Sequence, residues 1–314
     1  MKAYVLHEAG GVENLVLSDI EKPEIKADEV LVETKAISIN PVDVKVRPHE
    51  EVLNMIMQTE DRPVIIGWDI AGVVAETGAD VTDFKVGDKV FGMVNFPGHG
   101  KAYAEYVAAP ADHLAKMPAN CSFEEAAATT LAALTALQVL TGRIKADDRV
   151  LIHAGSGGVG HFAIQMAKKM GAHVITTSSA KNRDFCMAMG ADEHIDYREV
   201  QFEEVLTGID FVLDGMGGEN ITKSVKVIKD GGGMVSLPAP DFPEAAVQEA
   251  AARNINIEFI LVQSNGDQMN TLAGMLKDGT LKPHISVTFP FDKLQDAHRQ
   301  LESGRTVGKA VVTV

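Results

Sequence analysis

Six residues, Gly155-Ser156-Gly157-Gly158-Val159-Gly160, have the G-x-G-x-x-G spacing of a turn that holds a phosphate. The string is informative because of its flanks. Val150–Ala154 reads as a buried strand, and the amphipathic stretch Val159–Met170 reads as a helix. In that setting Gly155 permits a tight turn, Gly157 lets the backbone approach a pyrophosphate, and Gly160 lets the helix pack close on the strand. Gly158 and Val159 open the helix, whose unpaired N–H groups and positive dipole end would face the anion. A glycine-rich turn with a purely structural role is the plainer alternative.

A turn of this kind that takes NAD is followed, about 20 residues on, by an acid for the ribose hydroxyls. Here the corresponding position is Ser178, and the stretch Thr176–Arg183 contains no acid. A carboxylate would repel a 2′-phosphate. The hydroxyls of Ser178 and Ser179 and the ammonium of Lys181 would hold it, at about 1.5–3 kcal/mol for each charge-assisted bond. NADPH is therefore expected in preference to NADH. Lys181 and Arg183 read equally as a solvated helix start. Tyr197 either flanks the adenine or phosphate or is a half-buried surface tyrosine.

These residues need a scaffold. From Arg149 onward the chain alternates strands (Val150–Ala154, His173–Thr177, Glu193–Ile195, Asp210–Leu213, Gly233–Leu237, Ile257–Val262) with helices such as Lys181–Met189. Alternation with short loops implies right-handed βαβ units, and six strands match a doubly wound parallel sheet of the Rossmann type. Gly215, Ser236 and Leu237 follow the fourth and fifth strands, where ligands of such sheets lie, so they are candidate coenzyme contacts. The first third is different. Short apolar runs broken by Pro and Gly predict a β-rich domain, with Val81–Val90 as strand, turn and strand around Gly87-Asp88. Phe123–Leu140, free of Gly and Pro, predicts one long helix, with Ser122 and Glu125 forming a capping box. Asp267–Lys277 predicts another, before a mixed C-terminal segment that returns to the first domain.

Composition narrows the function. The 314 residues suffice for about two domains, and 46% hydrophobic content supports packed cores. The formal charge of −15, with no Lys/Arg run, argues against a nucleic-acid partner. Cys121 and Cys186 cannot build a disulfide framework or a zinc site by spacing, and read as small buried hydrophobes. The closest histidines, His153 and His161, are eight apart, so no local metal-binding pair exists. Glu8 comes too early for a secretory signal, and the most lipid-like stretch, Ala126–Gly142, reads as a buried helix rather than a membrane span. The expectation is a cytoplasmic protein.

Several segments together, Asn40–Lys45, Gly67–Val74, Val86–Val90, Ala102–Val107, the Gly155 turn and Ser303–Lys309, carry a resemblance over nearly the whole chain. The sequence resembles the medium-chain dehydrogenase/reductase superfamily, most of all its zinc-independent quinone oxidoreductase branch, which includes zeta-crystallin-like quinone reductases and plant enone oxidoreductases. That resemblance implies an α/β fold: a GroES-like catalytic domain split around a Rossmann domain, here 1–120, 121–263 and 264–314. It also implies a homodimer through the edge strand near Asn256–Val262. Zinc-dependent members carry a Cys where Asn40 stands and a His where Trp68 stands, so no metal is expected. By the same resemblance Asn40 lies near the nicotinamide ribose, Lys45 near coenzyme or substrate, Thr135 near the nicotinamide, and Gly308 and Lys309 at a C-terminal coenzyme contact. The bland alternatives are a turn Asn, an exposed Lys and a helical Thr bonded to its own backbone. Related enoyl reductases have a Tyr before the Asn-Pro pair; here it is Ile39, which leaves the proton to solvent, His99 or Tyr103. Trp68 either walls the substrate pocket or fills core volume.

Without a metal to activate an alcohol, a substrate already disposed to accept hydride fits best. The expected activity is NADPH-dependent hydride transfer to a small apolar quinone or α,β-unsaturated carbonyl. A zinc-independent alcohol or aldehyde reductase and a non-catalytic NADPH-binding redox sensor are the alternatives.

Overall fold

The computed structural model describes residues 1–238 and 240–314. They form two compact units, Met1–Leu134 together with Val262–Val314, and Thr135–Leu261.

The first unit begins with an antiparallel pair, β1 (Lys2–Leu6) and β2 (Leu15–Asp19). The long strand β3 (Glu29–Ile39) follows and runs straight into the short helix α1 (Pro41–Val46). Pro41 at the first helical position suits a helix start, because its missing N–H would have had no partner there. Then come α2 (Glu50–Met57), β4 (Asp69–Thr77), β5 (Lys89–Met93), β6 (Tyr106–Pro110) and β7 (Leu114–Lys116). Two helices end this stretch, α3 (Phe123–Thr129) and α4 (Leu131–Leu140), and the division between the units falls inside α4.

The second unit alternates β8 (Arg149–His153), α5 (Gly158–Lys169), β9 (His173–Ser178), α6 (Arg183–Ala188), β10 (Glu193–Asp196), α7 (Phe202–Val205), β11 (Ile209–Asp214), α8 (Glu219–Val227), β12 (Ile228–Ser236), α9 (Glu244–Ala252) and β13 (Asn256–Phe259). All six strands are parallel, in the order β10-β9-β8-β11-β12-β13. This is the doubly wound sheet expected from the alternation, with its chain reversal between β8 and β11. Leu151, Ile175, Val212 and Met234 from four neighbouring strands share one buried core with Ile221 and Val225 of α8 and Ala246 of α9.

The chain then returns to the first unit with α10 (Gly266–Lys277), β14 (Ile285–Pro290), α11 (Leu294–Glu302) and β15 (Lys309–Thr313). Its main sheet has the order β14-β15-β3-β4-β5-β7, with β6 also paired to β3. Residues far apart in sequence thus lie side by side: Ala310 faces Ile39, and Ser38 faces Asp69.

Four elements depart from the sequence-based expectations, among them β12, which starts at Ile228 rather than Gly233. The long helix is broken at Thr130, whose ψ of −101° is not helical. Thr129 and Thr130 donate their hydroxyls to Glu125 O and Ala127 O, both at 2.7 Å, and such back-bonding bends a helix. The capping box at Ser122 and Glu125 forms as expected. In Val81–Val90 no strand precedes the turn; Val81 and Phe84 instead pack on the core of the β-rich unit. The last parallel strand stops at Phe259 rather than reaching Val262.

Glycine requirements give a test of this packing. A Cβ on Gly160 would lie 2.3 Å from Ala154 O and 2.7 Å from Gly155 Cα, both immovable backbone. Gly274, exposed within α10, has open space around it. Urea unfolding should show Gly160→Ala losing about 1–3 kcal/mol and Gly274→Ala gaining about 0.5–1 kcal/mol.

Candidate active site

The phosphate turn is built at the carboxyl end of β8. Ala154, at φ +54°, makes the sharp bend, and Gly157 N–H donates back to Ala154 O at 2.8 Å. Gly155 is wedged against β9: a Cβ there would meet Thr176 Oγ1 at 1.8 Å, and that hydroxyl is already committed to Ile152 O at 2.7 Å. Gly157 caps α5 in extended conformation, and a Cβ there would fill the cradle 3.1 Å from Ala154 O. The turn thus has the bare backbone and the free helix start that a pyrophosphate needs.

The neighbouring strand ends gather the residues expected to hold a 2′-phosphate. Gly155 N–H donates to Thr177 O at 3.0 Å, and Tyr197 N–H to Ser178 O at 3.4 Å. Asn182 Nδ2 reaches back to Ser156 Oγ at 2.9 Å, tying the segment after β9 to the turn. Ser178 and Ser179 are buried, whereas Lys181 and Tyr197 are exposed. Two residues here were not singled out from the sequence. His194 of β10 lies 2.7 Å from Ser178 Oγ through Nε2. His153, at the end of β8, bridges Thr177 Oγ1 at 2.9 Å and Ser224 Oγ at 3.0 Å. The Ser224 hydroxyl donates to Asn220 O, so it accepts from Nε2–H of His153, and burial holds that imidazole neutral with its pKa lowered to about 4.

Gly215, Ser236 and Leu237 are organised by one carboxylate that the sequence reading also passed over. Asp214 accepts from Met216 N (3.0 Å), Gly217 N (3.0 Å), Asn220 Nδ2 (2.9 Å) and Ser236 Oγ (2.8 Å). Its backbone oxygen accepts from Leu237 N–H at 2.9 Å. Thr135, in α4, is buried.

The β-rich unit holds a second cluster, fully buried and charged. Asn40 ends β3 and caps α1; its backbone N–H donates to Asp43 Oδ2 at 2.5 Å. Its side-chain amide is held from both sides. Oδ1 accepts from Lys309 Nζ, and Nδ2 donates to Asp69 Oδ2 at 2.8 Å. Lys309 Nζ also reaches Ile39 O at 3.3 Å. The other Asp69 oxygen accepts from Leu131 N–H at 3.0 Å, so a carboxylate from β4 starts α4. Two acids and one ammonium share this interior, and burial pushes each toward its neutral form. Lys309 and Asp69 oppose that by mutual attraction. Asp43 is the surplus carboxyl; burial raises its pKa to about 8, and one of its oxygens lacks a hydrogen-bond partner.

A relay of side chains leads away from Asp43. Burial raises the pKa of the Tyr103 phenol well above 10, and Asp43, when ionised, raises it further. Tyr103 OH meets His298 Nε2 at 2.9 Å, and His298 Nδ1 accepts from Arg47 Nη1 at 3.0 Å. Because Arg47 only donates, His298 is the Nε2–H tautomer and donates to Tyr103. Burial, then Arg47, lowers the His298 pKa to about 3, so it stays neutral. Arg47 ends on Glu302 at 2.5 Å.

The remaining candidates are placed as follows. Trp68 is fully buried, donates Nε1–H to Gly98 O at 2.8 Å and meets Phe96 edge to face. His99 is half-buried and accepts weakly from Ile65 N–H at 3.4 Å; burial lowers its pKa to about 4. Lys45 is exposed in the last turn of α1. Gly308, at φ +64°, turns the chain against His284 O just before Lys309. The structure therefore joins Asn40, Gly308 and Lys309 in one cluster, and Ser178, Ser179, Lys181 and Tyr197 in another. Among the described residues, no three His, Cys, Asp or Glu side chains are grouped to hold a metal ion. No helix among them is long and apolar enough to cross a membrane.

Comparison with known proteins agrees with this layout. Residues 26–119 match the alcohol dehydrogenase GroES-like domain, and residues 189–312 match the family described as zinc-binding dehydrogenase. The chain is 36% identical over 325 residues to 2-methylene-furan-3-one reductase from Solanum lycopersicum, an alignment taking in 99% of this chain and 79% of that protein. It superposes on the quinone oxidoreductase of Coxiella burnetii with a TM-score of 0.92 at 36% identity, covering 100% and 99% of the two chains. The NADPH complex of Escherichia coli quinone oxidoreductase gives a TM-score of 0.89 at 28% identity, with 100% of both chains covered. A split β-rich unit around a doubly wound sheet with a phosphate turn defines a pyridine-nucleotide oxidoreductase fold. The chain belongs to the medium-chain dehydrogenase/reductase superfamily, in its quinone oxidoreductase branch.

The buried cluster makes a test. A carboxyl whose pKa is raised on folding binds a proton more tightly in the native state, so its contribution to stability falls as pH rises from the unfolded value near 4 to about 8, then levels off. Urea unfolding should show wild type losing stability relative to Asp43→Asn across that window, by at most about 1.4 kcal/mol per pH unit, with a constant difference above pH 8. A difference independent of pH would show that Asp43 is ionised throughout.

Proposed function

We propose that this chain is an NADPH-dependent reductase of small apolar quinones or α,β-unsaturated carbonyls that acts without a bound zinc ion. The observation that carries this reading is the Asn40 amide fixed between Lys309 and Asp69. At the position where zinc-dependent relatives have a thiolate, the residue is an amide with an ammonium against its oxygen. Trp68 stands at the second ligand position with its only polar atom bonded to Gly98 O. The amide oxygen is already taken by an ammonium, and neither position offers a thiolate or an imidazole to a zinc ion. A saturated alcohol or carbonyl would need a metal ion or a well-placed acid or base to activate it. A conjugated carbonyl does not, because hydride adds to a carbon whose electrons drain to the carbonyl oxygen.

The coenzyme part rests on the acid-free cluster of Ser178, Ser179 and Lys181, with Tyr197 at its edge, and on the bare turn from Gly155 to Gly160. Bound NADPH supplies the hydride. Gly215, Ser236 and Leu237, fixed by Asp214, are its contacts on the doubly wound unit; the Lys309 ammonium is enclosed on Asn40 and Ile39 O, which leaves Gly308 as the C-terminal candidate. Asn40, held rigid in the β-rich unit, and Thr135, buried at the start of the other unit, are the residues assigned to the reacting end. Lys45 brings positive charge to the oxygen that becomes an enolate or quinol, the kind of fixed electrostatic help that lowers such barriers. The proton then comes from solvent: the Tyr103 hydroxyl is enclosed with His298, and His99 is neutral at physiological pH. Cys121 and Cys186 are free thiols, which fits a reducing compartment such as the cytoplasm. The open edge of β13 fits pairing with a second copy of the chain.

The test is NADPH oxidation with a quinone, an enone and a saturated ketone, with and without a chelator. Turnover of the first two, unaffected by chelation, is expected. Loss of activity with chelator would overturn the zinc-free reading; turnover of the saturated ketone alone, or NADPH binding without turnover across the panel, would overturn the substrate reading.

The coenzyme reading has its own test. In steady-state kinetics NADPH should exceed NADH in kcat/KM by about tenfold to a hundredfold, the equivalent of one charge-assisted phosphate contact. Lys181→Ala should narrow that ratio about tenfold.

A further inference from the structure

The Ser178 hydroxyl has more than one partner, and which one it serves depends on a proton. It lies 2.7 Å from His194 Nε2, 3.3 Å from Ser179 O and 3.6 Å from Cys186 Sγ. When the neutral ring carries its proton on Nδ1, Nε2 is bare and the short contact requires the serine to donate its proton to the ring. When Nε2 carries a proton, the ring donates to Oγ and the serine proton is released for another acceptor. His194 is half-buried on β10, beside the residues expected to grip the coenzyme's 2′-phosphate.

We propose that His194 is a positioning residue for the 2′-phosphate: its protonated ring donates to Ser178, turns the serine hydroxyl toward the phosphate and adds a positive charge nearby, so that discrimination for NADPH over NADH strengthens as pH falls. This rests on the NADPH reading above. The charged groups acting on the ring are few. Arg183, at the start of α6, opposes its protonation, and Asp196, two residues along β10, favours it. Burial is the largest influence and Arg183 adds to it, so the free ring sits below its ordinary pKa. The Cys186 thiol on α6, raised in pKa by burial, adds no charge. Glu193 does not face the ring; its carboxylate is 2.6 Å from His173 Nε2. A dianionic phosphate beside His194 reverses the balance, and binding takes up a proton.

The phosphate itself titrates with a pKa of about 6, so the variant must share that contribution. Dissociation constants of NADPH and NADH, read from the nucleotide's fluorescence, are compared for wild type, His194→Gln and Ser178→Ala. Glutamine keeps a neutral hydrogen-bonding group next to Ser178 and cannot be protonated. Between about pH 8.5 and pH 6 the NADPH preference of wild type should rise roughly fivefold more than that of His194→Gln, with Ser178→Ala, which keeps the ring's charge, in between. Calorimetry in two buffers of different ionisation enthalpy should show wild type taking up more protons on binding NADPH than His194→Gln. NADPH preference with the same pH course in wild type and His194→Gln overturns the His194 assignment alone. Full wild-type pH dependence in Ser178→Ala overturns the relay through the serine. Preference for NADH at every pH overturns both this assignment and the NADPH reading.

Discussion

A fully buried ammonium ties the β-rich unit together. Lys309 sits 269 residues from Asn40 in sequence, yet its Nζ holds the Asn40 amide, which holds Asp69, which in turn receives the first N–H of α4. One cluster thereby joins the end of β3, the start of β4, the start of β15 and the break between α3 and α4. Such a group is costly to bury, and the cost is offset only while each partner stays in place; loss of one partner of a buried ion pair typically costs 3–5 kcal/mol. The same stringency explains why Asn40 has one side-chain orientation. Its oxygen must face the ammonium and its nitrogen the carboxylate, so the amide is set by charge rather than by shape.

The doubly wound unit meets an equivalent problem with neutral donors. Asp214 is fully buried at the end of β11, with no ammonium on it. Two backbone N–H groups, an amide and a hydroxyl satisfy its two oxygens. Three of those four donors belong to the loop and helix start that follow the strand, so the carboxylate shapes the segment beside the expected coenzyme path. His153 works alongside it as a neutral bridge between β8, β9 and α8. The two units thus hold their strand ends by different means, charge pairing in one and dipole saturation in the other.

How much of this is legible in the sequence depends on whether the signal is local. The phosphate turn is, because six residues carry its whole geometry, and so is the parallel sheet, because hydrophobic runs alternate with helical ones at short range. The helix break at Thr130 is not: it depends on two hydroxyls bonding backward and on Asp69, 62 residues away, capping the next helix. Val81–Phe84 has strand-like residues, but its apolar side chains are used for packing against the core. Asp69 and Lys309 do carry a signal that composition alone hides. Each stands in a largely apolar run, Ile65–Val74 and Lys309–Val314, where a charged side chain has to find a buried partner. Finding that the partners are each other requires the register of β15, β3 and β4. His298, Arg47 and Glu302 are legible only from the structure, since nothing near them in sequence marks them as a relay.

The chemistry follows from what such a cluster supplies. An ammonium and an amide can brace β3, β4 and β15 much as a bound metal ion would. They have no vacant coordination position and cannot make an alcohol acidic or polarise a carbonyl by direct bonding. On the proposed reading, the protein's share of the reaction is therefore limited to holding its partners in line and stabilising charge as it develops, effects that suffice only when the substrate already has somewhere to place the incoming electron pair. Conjugation to a carbonyl provides that place. On that reading the substrate class follows from how the fold solves its own problem of buried charge: the lysine that stabilises the unit occupies the amide oxygen at the position where zinc-dependent relatives have a ligand.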